Sequence, residues 1–393
     1  MDCNQIIDRR GTDCLKYDFA AERGRPADVL PLWVADMDFP VAKPIREALE
    51  KRVLHGIFGY TDTKADYFEA VAGWFSKYHG WTPKPDWLLK TPGVVFALAM
   101  AVKAYTAPGD GVLVQPPVYY PFHEVVRDND RKLVENKLLC KNGRYEMDFA
   151  DLAQSLRTKN VKMMLLCSPH NPVGRVWTKE ELEHVLMLCD KYGVVLVVDE
   201  IHCDFTFPGH PFTAAASLRE QIRNRLVICT APSKTFNIAG LQVSNIFIPD
   251  AGLRSKFKHQ IDAAGYSQLN TLGLLAAKTA YQEGAPWLDE VRAYLLENLN
   301  FLRAYLQENI PQIKLIEPDG TYLLWLDFAA LGLSGEELDA FITTKAHLWL
   351  DGGKLFGGGS EQYQRINIAC PRAVLLRALE QLSKAVRELI HNR

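Results

Sequence analysis

Five short apolar runs, Gly111–Gln115, Val161–Leu166, Val194–Val198, Leu226–Cys229 and Asn245–Ile248, constrain this chain more than any other feature. The middle ones read as continuous apolar stretches, the pattern of parallel strands covered on both faces. Helical patterns lie between and around them. Thr178-Lys-Glu-Glu181 is a capping box, and Leu182, Val185, Leu186 and Cys189 then share one helix face until Tyr192-Gly193 closes it. Further helical patterns cover about 44–54 and 66–79, and Thr91-Pro-Gly-Val-Val95 opens an apolar helix to about Thr106. This alternation predicts a doubly wound α/β layer over residues 45–285. Beyond Pro286 the pattern changes to a long helix over about 287–309, strands near 313–316 and 321–327, a second capping box at Ser334-Gly-Glu-Glu337, a strand over 363–369 and a last amphipathic helix. The expectation is a smaller α+β domain from residues 286–393 together with 1–44. Within that N-terminal part, Leu30–Pro40 is an extended arm, because Asp36, Asp38 and two prolines interrupt it.

Composition excludes several classes. With 393 residues, 48% hydrophobic and 23% charged, the chain has the balance of an ordinary two-domain globular protein. The formal charge is 45 − 47 = −2, so no global field recruits nucleic acid or an anionic membrane. No run of about 18 apolar residues could span a bilayer, and the first ten residues hold no apolar signal core. Eight cysteines include no Cys-x-x-Cys pair, and several sit inside apolar runs, as Cys167 and Cys229 do. They read as free thiols of a reducing, cytoplasmic compartment.

The chemistry centres on Thr230-Ala-Pro-Ser-Lys-Thr-Phe-Asn237. Lys234 falls where the strand Leu226–Cys229 should end, and a buried ammonium is costly unless paired or neutralised. An imine with a carbonyl neutralises it, and pyridoxal 5′-phosphate (PLP) is the commonest such carbonyl in enzymes. Asp199, at the carboxyl end of another strand, could hold the proton on a PLP ring nitrogen, or could be a helix cap. Asn171, between Pro169 and Pro172, could bond the phenolic oxygen or simply make a turn. Gly93, Val94 and Val95 begin a helix and could offer N–H groups to a phosphate. Tyr119 and Tyr120 follow a strand end, where an aromatic ring could stack on a cofactor or enter the core. Arg365 in a late apolar strand wants a carboxylate, from an amino-acid substrate or from one of 47 acids. Gly357-Gly-Gly-Ser360 reads as a flexible loop rather than a phosphate loop, and the adjacent His202, Cys203 and Asp204 do not suggest a metal.

Taken in order, Ser168-Pro-His-Asn-Pro-Val-Gly174, Val198-Asp-Glu-Ile-His202, Ala231-Pro-Ser-Lys-Thr-Phe-Asn237 and Arg365-Ile-Asn-Ile-Ala369 resemble the fold-type-I PLP-dependent enzymes of the aspartate aminotransferase superfamily. Pro31-Leu-Trp-Val-Ala-Asp-Met-Asp-Phe39 and Pro117-Val-Tyr-Tyr-Pro-Phe122 narrow the resemblance to the MalY/PatB cystathionine β-lyase branch, the cystalysin-like C–S lyases. The resemblance implies a mainly parallel seven-stranded sheet in the large domain and a homodimer with shared sites. It implies that Lys234 carries the cofactor, Asp199 its ring proton and Asn171 its ring oxygen. Tyr119 and Ile201 would cover the two ring faces. Val94, Val95 and Ser233 would hold the phosphate, with Tyr60 reaching over from the partner subunit. Arg365 would take the substrate carboxylate, and Trp33 and Tyr120 would shape the leaving-group space. Two departures from the aminotransferases stand out. Their phosphate-binding arginine is Gln242 here, and their ring-oxygen tyrosine is His202. The implied activity is α,β-elimination from L-cystathionine or related L-cysteine S-conjugates to pyruvate, ammonia and a thiol. The alternatives are a class I/II aminotransferase and, of another class, a regulatory protein-binding role on the same fold.

Overall fold

Seven strands leave the helical layers between them to form one sheet: β1 (Leu88–Thr91), β2 (Gly111–Val114), β3 (Lys132–Glu135), β4 (Val161–Cys167), β5 (Val195–Asp199), β6 (Leu226–Thr230) and β7 (Ser244–Phe247). The computed structural model describes residues 2–218 and 224–392. The strand order is β1-β7-β6-β5-β4-β2-β3. Only β7 runs antiparallel to its neighbours, and the remaining pairings are parallel. Side chains alternate strictly across the inner strands. Leu113, Met164, Leu166, Leu196, Val198 and Ile228 enter one core, while Val112, Val114, Leu165, Val197, Val227 and Cys229 enter the other. Burial on both faces is why these strands read as unbroken apolar runs. The two edge strands β1 and β3 escaped the sequence reading, because they carry Lys90, Lys132 and Glu135 as edges commonly do.

A second, antiparallel sheet holds β8 (Lys314–Ile316), β9 (Leu323–Asp327), β10 (Asp351–Gly352) and β11 (Tyr363–Asn367) in the order β8-β9-β11-β10. The expected strand over 363–369 thus stops at Asn367, and the one over 321–327 starts at Leu323, after Thr321 takes a left-handed φ of 68°. The helices Ala285–Asn309 and Arg372–His391 pack against each other and add Leu295, Leu302, Leu375 and Leu382 to the main core. Both capping boxes form as the sequence predicts, at Thr178 with Glu181 and at Ser334 with Glu337.

The N-terminal arm is tied down by charge. Lys16 is fully buried and donates to Asp38 at 2.8 Å, while Arg9 reaches Asp36 at 2.5 Å and Asp38 at 2.7 Å. Leu30–Pro31 pairs in parallel with Leu348–Trp349 as a small two-stranded sheet, which joins the arm to the segment that leads into β10. Asn237 clamps the arm onto the Lys234 segment: its amide oxygen accepts the Met37 N–H and its nitrogen donates to the Met37 and Phe39 carbonyls. Gly174 makes another junction. Its φ is +70°, and a Cβ there would meet Pro318 at 2.7 Å. Its carbonyl accepts the N–H groups of Asp319 and Gly320, so only glycine allows this approach.

Candidate active site

The parallel strands all end at one rim, and each delivers a segment singled out above. β2 leads to Gln115–Tyr119, β4 to Ser168–Asn171, β5 ends on Asp199, and β6 leads into the short helix Pro232–Thr235 that carries Lys234. At the same rim β1 leads to Gly93 and the helix Val94–Tyr105. Ligands of open α/β sheets lie outside such carboxyl ends.

Lys234 is surrounded by protein but keeps one side open. Its Nζ donates to the Ala35 carbonyl at 2.8 Å, and the Tyr322 hydroxyl donates to the same oxygen at 3.1 Å. Burial lowers the Lys234 pKa to about 8; Asp36 opposes that shift and Arg365 adds to it. An amine that titrates there can act as nucleophile and as base near neutrality.

Facing groups are left with open valences. Burial pushes the Asp199 carboxyl up to about 7, against the pull of the Ile201 N–H and Lys234. Its Oδ1 accepts the Ile201 N–H at 3.0 Å, whereas Oδ2 has no hydrogen bond among the described residues. Such a carboxyl ionises readily once a cation is placed against it. Asn171 gives its amide oxygen to Arg365 at 3.0 Å, which leaves its NH2 free of partners among the described residues. The Asn171 carbonyl accepts the Tyr119 N–H at 3.1 Å, and this sets Tyr119 beside it. Tyr119 and Ile201 both pack on the second core, and Tyr119 lies 5.1 Å from the Tyr120 ring. His202 is buried and held neutral, its pKa lowered to about 3 by burial with Lys234 and Arg365 nearby. Its Nδ1 has no partner among the described residues, and its ring meets Tyr322 edge-on at 5.9 Å.

The anion-binding end is equally open. The helix Val94–Tyr105 has Gly93 as its N-cap and no capping side chain, so its first N–H groups are left unpaired among the described residues. Ser233 is half-buried on the next segment, and Gln242 is exposed. Tyr60 projects into solvent with 97% of its surface exposed and reaches no group of its own site. Lysine, carboxylate, amide donor and helix N-terminus together fit PLP, because each presents an unsatisfied group that this cofactor would complete.

Arg365 finds a carboxylate partner within the protein. In this structure its guanidinium is paired with Asp351, donates to the Trp33 carbonyl at 2.8 Å and lies over Phe356 at 5.0 Å. Its Nε has no partner among the described residues. Trp33 meets Arg365 through its carbonyl only, since its ring stacks on Trp349 at 4.4 Å. Tyr120 lines the adjoining cleft.

Sequence reasoning missed Ala35, Tyr322, Asp351 and the role of Asp204. Asp204 accepts from Thr235 at 2.6 Å, Trp74 at 3.1 Å and His79 at 2.9 Å. Burial alone would raise its pKa, but those partners hold it below the usual carboxylate range. His79, Cys203 and Asp204 place their ligand atoms within 4.8 Å of one another, an arrangement that runs through a residue distant in sequence. Gly357 and Gly358 sit against neighbouring chain, for a Cβ on Gly358 would meet the Pro117 nitrogen at 2.9 Å, while a Cβ on Gly359 would meet open space.

Fold and rim define a lysine-centred enzyme of the α/β type built for a phosphorylated ring cofactor. The chain belongs to the aminotransferase class I and II family, whose model matches residues 27–382. It is 45% identical over 386 residues to cystathionine beta-lyase PatB of Bacillus subtilis, covering 98% of this chain and all of that protein. It is 33% identical to protein MalY of Escherichia coli, over 98% of this chain and 99% of that one. The crystal structure of cystalysin from Treponema denticola, which contains a PLP cofactor, superposes with a TM-score of 0.95 at 38% identity, covering 99% of both chains. Among the described residues no helix is long and apolar enough to cross a membrane.

Proposed function

We propose that this protein is a PLP-dependent carbon–sulfur β-lyase that releases a thiol, pyruvate and ammonia from L-cystathionine or related L-cysteine S-conjugates. The observation that carries the reading is Lys234, an amine with its pKa lowered to about 8 by burial and facing the half-satisfied Asp199. Identity of 45% to PatB, named a cystathionine beta-lyase, supports the elimination over other fates of the same site.

PLP supplies the electron sink that stabilises negative charge at the substrate Cα. Asp199 would hold the ring-nitrogen proton through its free Oδ2, and the Asn171 NH2, oriented by Arg365, would bond the ring oxygen. Val94, Val95 and Ser233 would take the phosphate. Tyr119 and Ile201 would cover the two ring faces, with neutral His202 close to Lys234. Arg365 exchanges its hold on Asp351 for the substrate α-carboxylate. Lys234 Nζ removes the Cα proton, and the C–S electron pair leaves with the thiolate, which the lysine reprotonates. Water then completes the conversion of the three-carbon fragment to pyruvate and ammonia.

Residues 45–285 form the cofactor domain in this reading, and 1–44 with 286–393 the smaller one. The enzyme is a homodimer in which Tyr60 completes the partner's phosphate site. The exposed Ile57, Phe58 and Tyr60 on one loop support that contact. Eight free cysteines, six of them buried, support a reducing, cytoplasmic setting. PLP titration tests the cofactor assignment: the protein should take up PLP with a visible absorption band that Lys234→Ala lacks. An aminotransferase would share that band but need a keto-acid acceptor to turn over.

A further inference from the structure

The cleft beside Arg365 carries charges that the elimination itself does not use. A cavity of about 760 Å³ opens past Trp33, Tyr120 and Asp351. Its inner wall is continuous with the active site, since Asp351 and the Trp33 carbonyl both hold Arg365. Its outer wall carries Arg23 and Arg127, neither of which has an ion pair among the described residues. The neighbouring Arg25, by contrast, is already bound to Asp339 at 2.9 Å and Thr343 at 2.6 Å.

Arg23 is also pre-placed. Its guanidinium lies over the Trp33 ring, 5.1 Å from the centroid, and that ring is fixed by its stack on Trp349. A guanidinium on a rigid aromatic pair loses less freedom on binding than a free arginine and keeps its N–H edge for an anion. Trp33 therefore stands between two guanidinium groups, Arg365 at its carbonyl and Arg23 on its ring. Two such groups one residue apart suit a ligand with a carboxylate at each end. Glu124 and Glu361 on the same cavity also lack ion pairs among the described residues, so both signs needed by an ionised amino-acid head are present.

We infer that Arg23 binds a carboxylate at the far end of the departing sulfur substituent. The site then favours thioethers whose leaving thiol is itself an amino acid or short peptide over simple alkyl thioethers. This rests on the lyase reading above.

The test compares L-cystathionine with S-propyl-L-cysteine, which lacks only the distal ionised groups, on the PLP-loaded enzyme and its Arg23→Met variant. Methionine keeps the packing on Trp33 but removes the charge. Arg23→Met should lower kcat/KM for cystathionine about tenfold, through KM, and leave S-propylcysteine unchanged; Arg23→Lys should recover part of the loss. Added salt should weaken cystathionine binding more steeply in the wild type than in Arg23→Met. Equal effects on both substrates, or none on either, would overturn the inference. Calorimetric binding of diaminosuberate and of aminoheptanoate, their sulfur-free analogues, separates the two claims. If neither thioether is cleaved the lyase reading fails, while a preference for diaminosuberate that Arg23→Met abolishes still upholds the subsite, and its absence refutes it.

Discussion

Lys234 and Tyr322 converge on one oxygen, the carbonyl of Ala35, at 2.8 Å and 3.1 Å. The arm that supplies this carbonyl is held from both sides, by Lys16 and Arg9 on its acids and by Asn237 from the Lys234 segment itself. The N-terminal arm therefore sets where the free lysine amine rests. Removing the Tyr322 hydroxyl leaves that oxygen with a single donor and lets the amine wander. Tyr322→Phe should lower kcat about tenfold with little change in KM, as measured by steady-state pyruvate release. A change confined to KM would place Tyr322 in substrate binding instead.

Asp204 holds the segment that carries Lys234 through the Thr235 hydroxyl. Asp204→Ala strands the Thr235 hydroxyl and the Trp74 indole N–H in the core and should cost about 3 kcal/mol of stability in urea unfolding. Asp204→Asn, which keeps the shape and an acceptor, should cost less.

Arg365 holds a planar fork against Asp351, Asn171 and Trp33. A lysine cannot reproduce that geometry. Arg365→Lys should lower kcat/KM about a hundredfold, mainly through KM, and should also loosen PLP binding because Asn171 loses its orienting partner. Equilibrium PLP titration of the variant checks the second effect.

Charge burial gives the cofactor-free protein a defined pH dependence. Burial raises Asp199 to about 7 and Glu200 to about 8, whereas free carboxyls titrate near 4. Between those values the folded protein keeps protons that the unfolded chain has released. Their contribution is therefore present at low pH and lost as pH rises through about 8. His202, lowered to about 3, acts oppositely, but only below the pH near 6.5 where a free histidine protonates. From pH 6.5 to about 7 the carboxyl effect leads and the melting temperature of the cofactor-free protein should fall, whereas Lys234, lowered to about 8 from the free-lysine range, opposes that fall as pH approaches 8. Asp199→Asn should flatten that fall, and an unchanged slope would show that Asp199 titrates normally.

Much of this was legible in the sequence. Buried parallel strands announce themselves as apolar runs, and Asp199, Asn171 and Lys234 stand out because polar residues at their ends have no core role. Edge strands such as Lys132–Glu135 carry no such signal, since one side faces solvent. Ala35 and Asp351 were hidden for a different reason. A backbone carbonyl leaves no trace in residue type, and Asp351 meets Arg365 only through the pairing of two short strands. His79 joins Asp204 across 125 residues of chain, a contact that only the folded packing creates.

The most direct test of the account is the ratio of pyruvate to thiol released from L-cystathionine by the PLP-loaded protein with no keto acid present. The account predicts one pyruvate per homocysteine, sustained over many turnovers and absent in Lys234→Ala. A protein that binds PLP but yields no pyruvate until a keto acid is supplied, and then transfers its amino group, would contradict it.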